Sequence, residues 1–331
     1  MSKSASRRDA LKTFTLLLAA PLLSAGSDFK TRQTPQKIGF LSGAGLLPLE
    51  NAFTDELMKL GLKEGNNFHI EKRLARPNTD EISVMAAELA KMDLALIVVG
   101  SLPIALEVKQ LNPLMPMVLA TCPGMVSNGF AESLEHPAGI YTGIDELPPG
   151  VTAKRLRFLK EAVPQATRIA LLSATPGKGG HEIQLSEAEK TAITLGMAVK
   201  SYRVRSLEEL QNALSDMVTD DMHGIVVFQG ALTLANRQFV VDFTTKNNLP
   251  AIYQQAVFVE IGGLMSWAPD LQQQFREAAH YVAQILKGAK PGDLPVKHPD
   301  KYYLTLNSKT ATNMNLNLSE SLLRQATNVI R

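Results

Sequence analysis

Small hydroxyl and amide side chains recur in this sequence wherever an apolar run breaks off. Ser42 follows Ile38–Leu41, Ser101 follows Leu94–Val99, and Thr121 follows Pro116–Leu119. Ser173 and Thr175 follow Ile169–Leu172, Gln229 follows Ile225–Phe228, and Tyr253 and Gln254 close the run from Pro250. Such groups donate and accept hydrogen bonds but need a neighbouring base to act as nucleophiles. Where a strand end leads into a helix, the free backbone N–H groups of the first turn suit a carboxylate or another polar or anionic solute. The pattern therefore points to a binding cleft. Catalytic partners are missing: no Gly-x-Ser-x-Gly occurs, and the single thiol, Cys122, has no basic neighbour in sequence. The six histidines (His69, His136, His181, His223, His280, His298) are scattered without i,i+4 pairing, and no acidic loop has calcium spacing, so no metal is expected. Ser42-Gly43-Ala44-Gly45 lacks the third glycine of a dinucleotide loop, and Pro176–Gly180 lacks P-loop spacing, so no nucleotide cofactor is expected either.

The elements that would hold these residues alternate. From Lys37 the chain reads strand, helix (Leu49–Leu60), an alternating strand (Phe68–Leu74), a helix capped by Thr79, a wholly apolar strand (Leu94–Val99), a helix, and a strand ending at Thr121-Cys122-Pro123. The same order returns from Arg168, with capping boxes at Ser186-x-x-Glu189 and Ser206-x-x-Glu209. Ile38 and Ile169, Leu60-Gly61 and Leu195-Gly196, Val98 and Val227, and Pro116 and Pro250 correspond at nearly one offset, as duplicated lobes would. Continuous apolar strands separated by helices imply parallel sheets covered on both faces. Two such lobes would share a cleft at their strand C-termini. Gly139–Gly150 and Ser266–Asp270 read as the crossings between lobes, and a Gly262-Gly263 pair precedes the second. The remainder holds an amphipathic helix from Leu271, a strand Tyr302–Leu306 of open pairing, and a short helix Ser321–Ile330.

With 331 residues the chain is comfortable for two domains, and 45% hydrophobic with 20% charged residues is ordinary for a globular protein. A net charge of +2 gives no reason to expect nucleic acid as a partner. The N-terminus reads as an export signal: Arg7-Arg8 with Leu11-Lys12, an apolar run Phe14–Leu23, then Ser24-Ala25-Gly26-Ser27. The arginine pair resembles the twin-arginine signal, with Ala10 where that pattern prefers Phe. The cut is expected between Ala25 and about Asp28. With one cysteine there is no internal disulfide, and no cysteine at the junction to take a lipid, so a periplasmic location is expected.

Longer stretches carry a family resemblance. Ile38-Gly-Phe-Leu-Ser, Leu60-Gly-Leu-Lys-Glu-Gly-Asn-Asn, Leu159-Lys-Glu-Ala-Val-Pro and Leu249-Pro-Ala-Ile-Tyr resemble the periplasmic substrate-binding proteins of ABC transporters, in the branch with tryptophan/tyrosine-type components. Phe258-Val-Glu-x-Gly-Gly-Leu-Met-Ser-x-x-Pro-Asp270 is the most specific piece, and Ile285–Val296 supports it. The resemblance spans Lys37 to the C-terminus. It implies a two-lobed hinged fold that closes on a small solute and delivers it to an ABC permease in the inner membrane. By position its ligand contacts fall on Ser42, Ser101, Thr121, Ser173, Gln229, Tyr253 and Ser266. Two departures stand out. Thr121-Cys122-Pro123 lacks an Asp-Pro common in the family, and Gln229-Gly230 stands for a Pro-Asp. An ammonium group in a dry cleft wants a carboxylate, which leaves Glu260, Asp145 or Asp270, and a neutral or anionic ligand becomes an option. Trp267 would either stack on an aromatic ligand or pack the hinge.

The expectation is a two-lobed α/β periplasmic-binding-protein fold. Residues 1–27 are the export signal, 28–144 the first lobe with 271–300 returning to it, and 145–270 the second, while 301–331 is left unassigned. The candidate ligand contacts are Ser42, Gly43, Ser101, Thr121, Cys122, Ser173, Gln229, Tyr253, Gln254, Ser266 and Trp267. The ligand would be an amino acid, a carboxylate or a neutral polar solute. A ligand-sensing module reporting to a membrane receptor is the alternative, and an enzyme on the same scaffold the remoter one.

Overall fold

Five strands and three helices alternate through the first part of the chain: β1 (Gln36–Gly43), α1 (Leu47–Lys59), β2 (Phe68–Ala75), α2 (Glu81–Ala90), β3 (Leu96–Val99), α3 (Leu102–Leu111), β4 (Met117–Cys122) and β5 (Tyr141–Asp145). The structure is a computed structural model that describes residues 35–43, 47–76, 80–174, 179–228 and 230–331. The expected export signal, the Thr79 cap, Thr175 and Gln229 lie outside the described residues. The strands form one all-parallel sheet in the order β2-β1-β3-β4-β5. Its inner strands are apolar on both sides because both faces are covered. Ile38, Phe40, Val98 and Val118 pack against α1, while Leu41, Ile97, Val99 and Leu119 pack on the opposite side with α2 and α3. Each such side chain taken out of water contributes about 1.5–3 kcal/mol.

The second sheet follows: α4 (Val151–Ala162), β6 (Arg168–Ser173), α5 (Gly179–Thr194), β7 (Ala198–Arg203), α6 (Leu207–Thr219), β8 (Gly224–Val227), α7 (Ala231–Ala235), α8 (Arg237–Lys246), β9 (Ala251–Tyr253), α9 (Val257–Glu260) and β10 (Met265–Pro269). After β10 the chain enters α10 (Leu271–Leu286), which packs on the first sheet: Phe275 meets Phe40 with ring centroids 5.9 Å apart. The chain then returns to the second sheet as β11 (Tyr302–Asn307), α11 (Ser308–Asn313), α12 (Glu320–Gln325) and β12 (Asn328–Ile330). The order is β12-β11-β10-β9-β8-β6-β7, parallel from β10 to β7, with β11 antiparallel to β10. The expected fold class is therefore observed: two mostly parallel sheets, each flanked by helices.

Four local expectations need correction. The helix expected at Ser186 starts instead at Gly179, so Ser186 is an exposed mid-helix residue and not a cap. At Ser206 the capping box is real, with Ser206 Oγ accepting from the Glu209 N–H at 3.1 Å. The last helix stops at Gln325, and Asn328–Ile330 pairs with β11, whose open edge supplies the backbone partners that a free helix end would lack. Gly139–Gly150 is not all crossing, because Tyr141–Asp145 is a strand of the first sheet. A further crossing also exists. The chain near Lys297 runs beside β5 (Asp145 N–H to Lys297 carbonyl, 2.8 Å) before reaching β11.

Arg155 of α4 sits where these crossings meet. Its Nε donates to the Trp267 carbonyl at 3.0 Å, and the Tyr302 hydroxyl nearby donates to the Glu146 carbonyl at 3.0 Å. Burial pulls the guanidinium down to about 10, against the opposing pull of Tyr302, Glu146 and Glu187, so it stays charged at neutral pH.

Candidate functional site

Parallel strands place their C-terminal ends, and the helix starts that follow, along one edge of a sheet. In the first sheet that edge gathers three of the expected residues around Gly100. Thr121 Oγ1 donates to the Gly100 carbonyl at 3.0 Å. A Cβ on Gly100 would lie 2.3 Å from Ser42 Oγ and 3.3 Å from the Phe275 ring, so only glycine admits Ser42 here. Ser101 is the N-cap of α3, with extended backbone and no side-chain cap bond. Ser42 is 1% exposed, yet its hydroxyl has no hydrogen-bond partner. A buried unpaired hydroxyl is costly unless something completes it. Ser42, Gly100, Ser101 and Thr121 thus form a hydroxyl cradle beside the start of α3. Gly43 closes β1 just beyond it.

In the second sheet the edge is more amide in character. Gln254 Nε2 donates to Gln184 Oε1 at 2.6 Å, both residues being buried. One turn earlier on α5, His181 is 2% exposed, its ring edge-on to Phe228 and its Nδ1 without a partner. Burial, and then the Arg203 charge, hold the His181 imidazolium below its ordinary range. Gln255, next to Gln254 in sequence, is buried with an unpaired Oε1. Ser173 is buried at the end of β6, its carbonyl accepting from Val204. His181, Gln184 and Gln255 were missed by sequence reasoning. The available signal for the first two was a polar i,i+3 pair at the start of the helix that follows β6.

Other expected contacts are spent on structure. Tyr253 is fully buried, its ring stacked on Phe258 at 4.7 Å and its hydroxyl bonded to Thr244 at 3.0 Å, so it belongs to the core under α8 and α9. Trp267 packs edge-on to Phe158 (5.3 Å) and against Tyr302 (5.7 Å), which is hinge packing. Cys122 is a buried core thiol pushed well up by burial, and is unreactive as such. Ser266 is fully buried with an unpaired hydroxyl, in register with Tyr253. Of the three carboxylates considered for an ammonium group, Asp270 caps α10 and Glu260 is exposed at the end of α9. Asp145 accepts from the N–H groups of Gly124, Met125 and Leu147, each at 2.9 Å.

A cavity of about 660 Å³ lies between the two halves. The loop after β4 (Gly124, Val126, Ser127, Leu134) lines one side, α5 (Glu182, Ile183, Gln184, Glu187, Lys190) the other, and Leu147–Val151 the floor. Its size suits a small organic solute. Gln184 joins this wall to Gln254 at the end of β9. His298 closes one corner, its Nδ1 donating to the Asp145 carbonyl at 2.7 Å. Among the described residues no group of three or more His, Cys, Asp or Glu side chains could hold a metal.

Residues 37–330 match the family of ABC transporter substrate binding proteins. The chain belongs to that family. Family members are binding proteins, not enzymes. A tyrosine-binding protein of Clostridioides difficile is 22% identical over 261 residues, covering 79% of this chain and 74% of that protein. Two solved structures share the fold. The ABC domain of a Streptococcus protein in complex with L-Trp superposes with a TM-score of 0.79 at 23% identity, over 88% of this chain and 100% of that one. A conserved domain protein from Vibrio cholerae gives a TM-score of 0.81 at 20% identity, over 89% of this chain and 100% of that one.

Proposed function

We propose that this family member is exported to the periplasm with residues 1–27 removed, captures a small aromatic or polar solute between its two halves, and delivers it to an ABC permease in the inner membrane. The observation that carries this reading is the cavity between the β4–β5 loop and α5, lined from both halves and tied through Gln184 to a strand end. The unspent hydroxyl of Ser42 supports it, as does an N-terminus patterned for export. The tyrosine-binding relative and the L-Trp complex favour a solute with an aromatic ring. The lobes in this reading are 28–144 with 271–300, and 145–270 joined by 301–331, whose strands β11 and β12 extend the second sheet. The three crossings act as the hinge, and binding free energy comes from enclosing the solute as the halves close.

A thermal-shift screen of the mature chain, refolded to remove bound solute, tests this. A solute at a hundred times its dissociation constant stabilises by about 2.7 kcal/mol, a visible rise in Tm. The panel holds aromatic and aliphatic amino acids, organic acids, nucleosides and sugars. A rise with one chemical class supports solute capture, and a folded chain that no class stabilises contradicts it.

A further inference from the structure

We infer that Val126 and Ile183 decide which solute is held: they meet its apolar part from opposite halves, so the solute carries a hydrocarbon chain or ring, and wholly hydrophilic solutes such as sugars are refused. This rests on the solute-capture reading and narrows its substrate class. Among the described residues, these are the two exposed large hydrophobic side chains that line the cavity. Val126 is 42% exposed on the loop after β4, and Ile183 is 46% exposed on α5. Neither joins a hydrophobic cluster of its own half. Their neighbours do: Met125 is fully buried in the core of the first sheet, and Leu185 packs against the core of the second.

The cores therefore give no reason for an apolar side chain at either position. Exposed hydrophobic residues are ordinary when scattered singly. This pair, however, stands on the two sides of one cavity whose floor is also apolar at Leu147, Pro148 and Val151. The carboxylates on the same walls are engaged with the protein itself. Asp145 takes three backbone N–H groups, Glu187 Oε2 accepts from the Thr152 N–H at 3.2 Å, and Glu182 faces Arg203 at 3.6 Å. A hydrocarbon group enclosed here takes Val126, Ile183 and its own surface out of water together, and each enclosed methylene strengthens binding about fourfold. A sugar would instead press hydroxyl groups against side chains that cannot hydrogen-bond them.

Calorimetric titration of the refolded mature chain with two homologous series tests this. One is alanine, norvaline, norleucine, phenylalanine and tryptophan; the other is propanoate, pentanoate, hexanoate, 3-phenylpropanoate and indole-3-propanoate. Glucose and ribose are the hydrophilic probes. Each series keeps its polar group while the apolar part grows. In whichever series binds, the dissociation constant should fall about fourfold per methylene along the straight-chain members, with no binding of either sugar. Val126→Ser and Ile183→Ser should each weaken the six-carbon member about tenfold and the three-carbon member hardly at all. Both sites are exposed, so these variants should melt as the wild type does. The double variant should lose less than the product of the single losses, because either change opens the same contact. Leu114→Ser and Ile193→Ser, exposed but outside the cavity, should bind as wild type. Affinity independent of chain length, a sugar that binds more tightly than either series, or variants that weaken every member alike overturn the inference while leaving solute capture intact. A folded chain that binds no member of either series overturns it too, and one that no class in the thermal-shift panel stabilises overturns solute capture as well.

Discussion

At the end of the first sheet, Ser42 keeps an unspent hydroxyl in a fully packed setting, whereas at the end of the second the Gln254 amide is already bonded to Gln184. The two edges arise from the same strand-helix repeat, yet the first presents a lone unpaired hydroxyl, whereas the second pairs Gln254 with Gln184 and leaves Gln255 Oε1 and His181 Nδ1 unpaired. A buried donor without a partner costs stability in the empty protein and is repaid only when a solute arrives. A satisfied amide pair shapes the opposite wall without waiting for one. In the proposed reading, Ser42 at the first edge receives the solute and the Gln254–Gln184 pair shapes the wall opposite.

Substitutions can break or sharpen that contrast. The largest effect is expected at the junction of the two halves. Arg155→Met removes the donor to the Trp267 carbonyl and leaves the neighbouring Glu146 and Glu187 charges without their cation, which should destabilise by about 3 kcal/mol in urea unfolding. Gly100→Ala comes next. Its Cβ would collide with Ser42 Oγ, so binding should vanish with a stability loss of about 1–3 kcal/mol. Ser42→Ala and Gln254→Ala should then separate the two edges. The first should weaken binding about tenfold while leaving the Tm of the empty protein unchanged or higher, because it deletes an unpaired hydroxyl. The second should cost about 1 kcal/mol of stability through the broken bond to Gln184, with little change in affinity. Titration and thermal melts of both variants check this, and equal behaviour would erase the distinction.

The smallest effect concerns pH. His181 is held below its ordinary range in the folded chain, so the unfolded chain takes up a proton that the folded one resists. Stability should fall as pH drops below the unfolded value of about 6.5, and that part of the slope should disappear in His181→Gln. Urea melts at pH 5.5 and 7.5 on both proteins measure it.

The parallel sheets were legible because doubly covered strands leave unbroken apolar runs such as Leu96–Val99, and helix starts declare themselves as at Ser206. The cleft residues were harder because successive strand residues point to opposite faces. Tyr253 and Gln254 are neighbours in sequence, but the ring of one stacks in the core while the amide of the other reaches α5. His181 and Gln184 were hidden because the helix was expected to begin only at Ser186, beyond both of them, whereas it starts at Gly179. The third crossing left no periodic signal, since His298-Pro299-Asp300-Lys301 is polar loop sequence, and with it went the placement of β11.

Small-angle X-ray scattering of the mature chain, recorded empty and with a saturating solute from the screen, tests the central claim most directly. Capture between hinged halves predicts a smaller radius of gyration with solute, and a diminished change in Ser42→Ala at the same solute concentration. A solute that binds tightly while the radius of gyration stays the same would contradict closure of the two halves upon it.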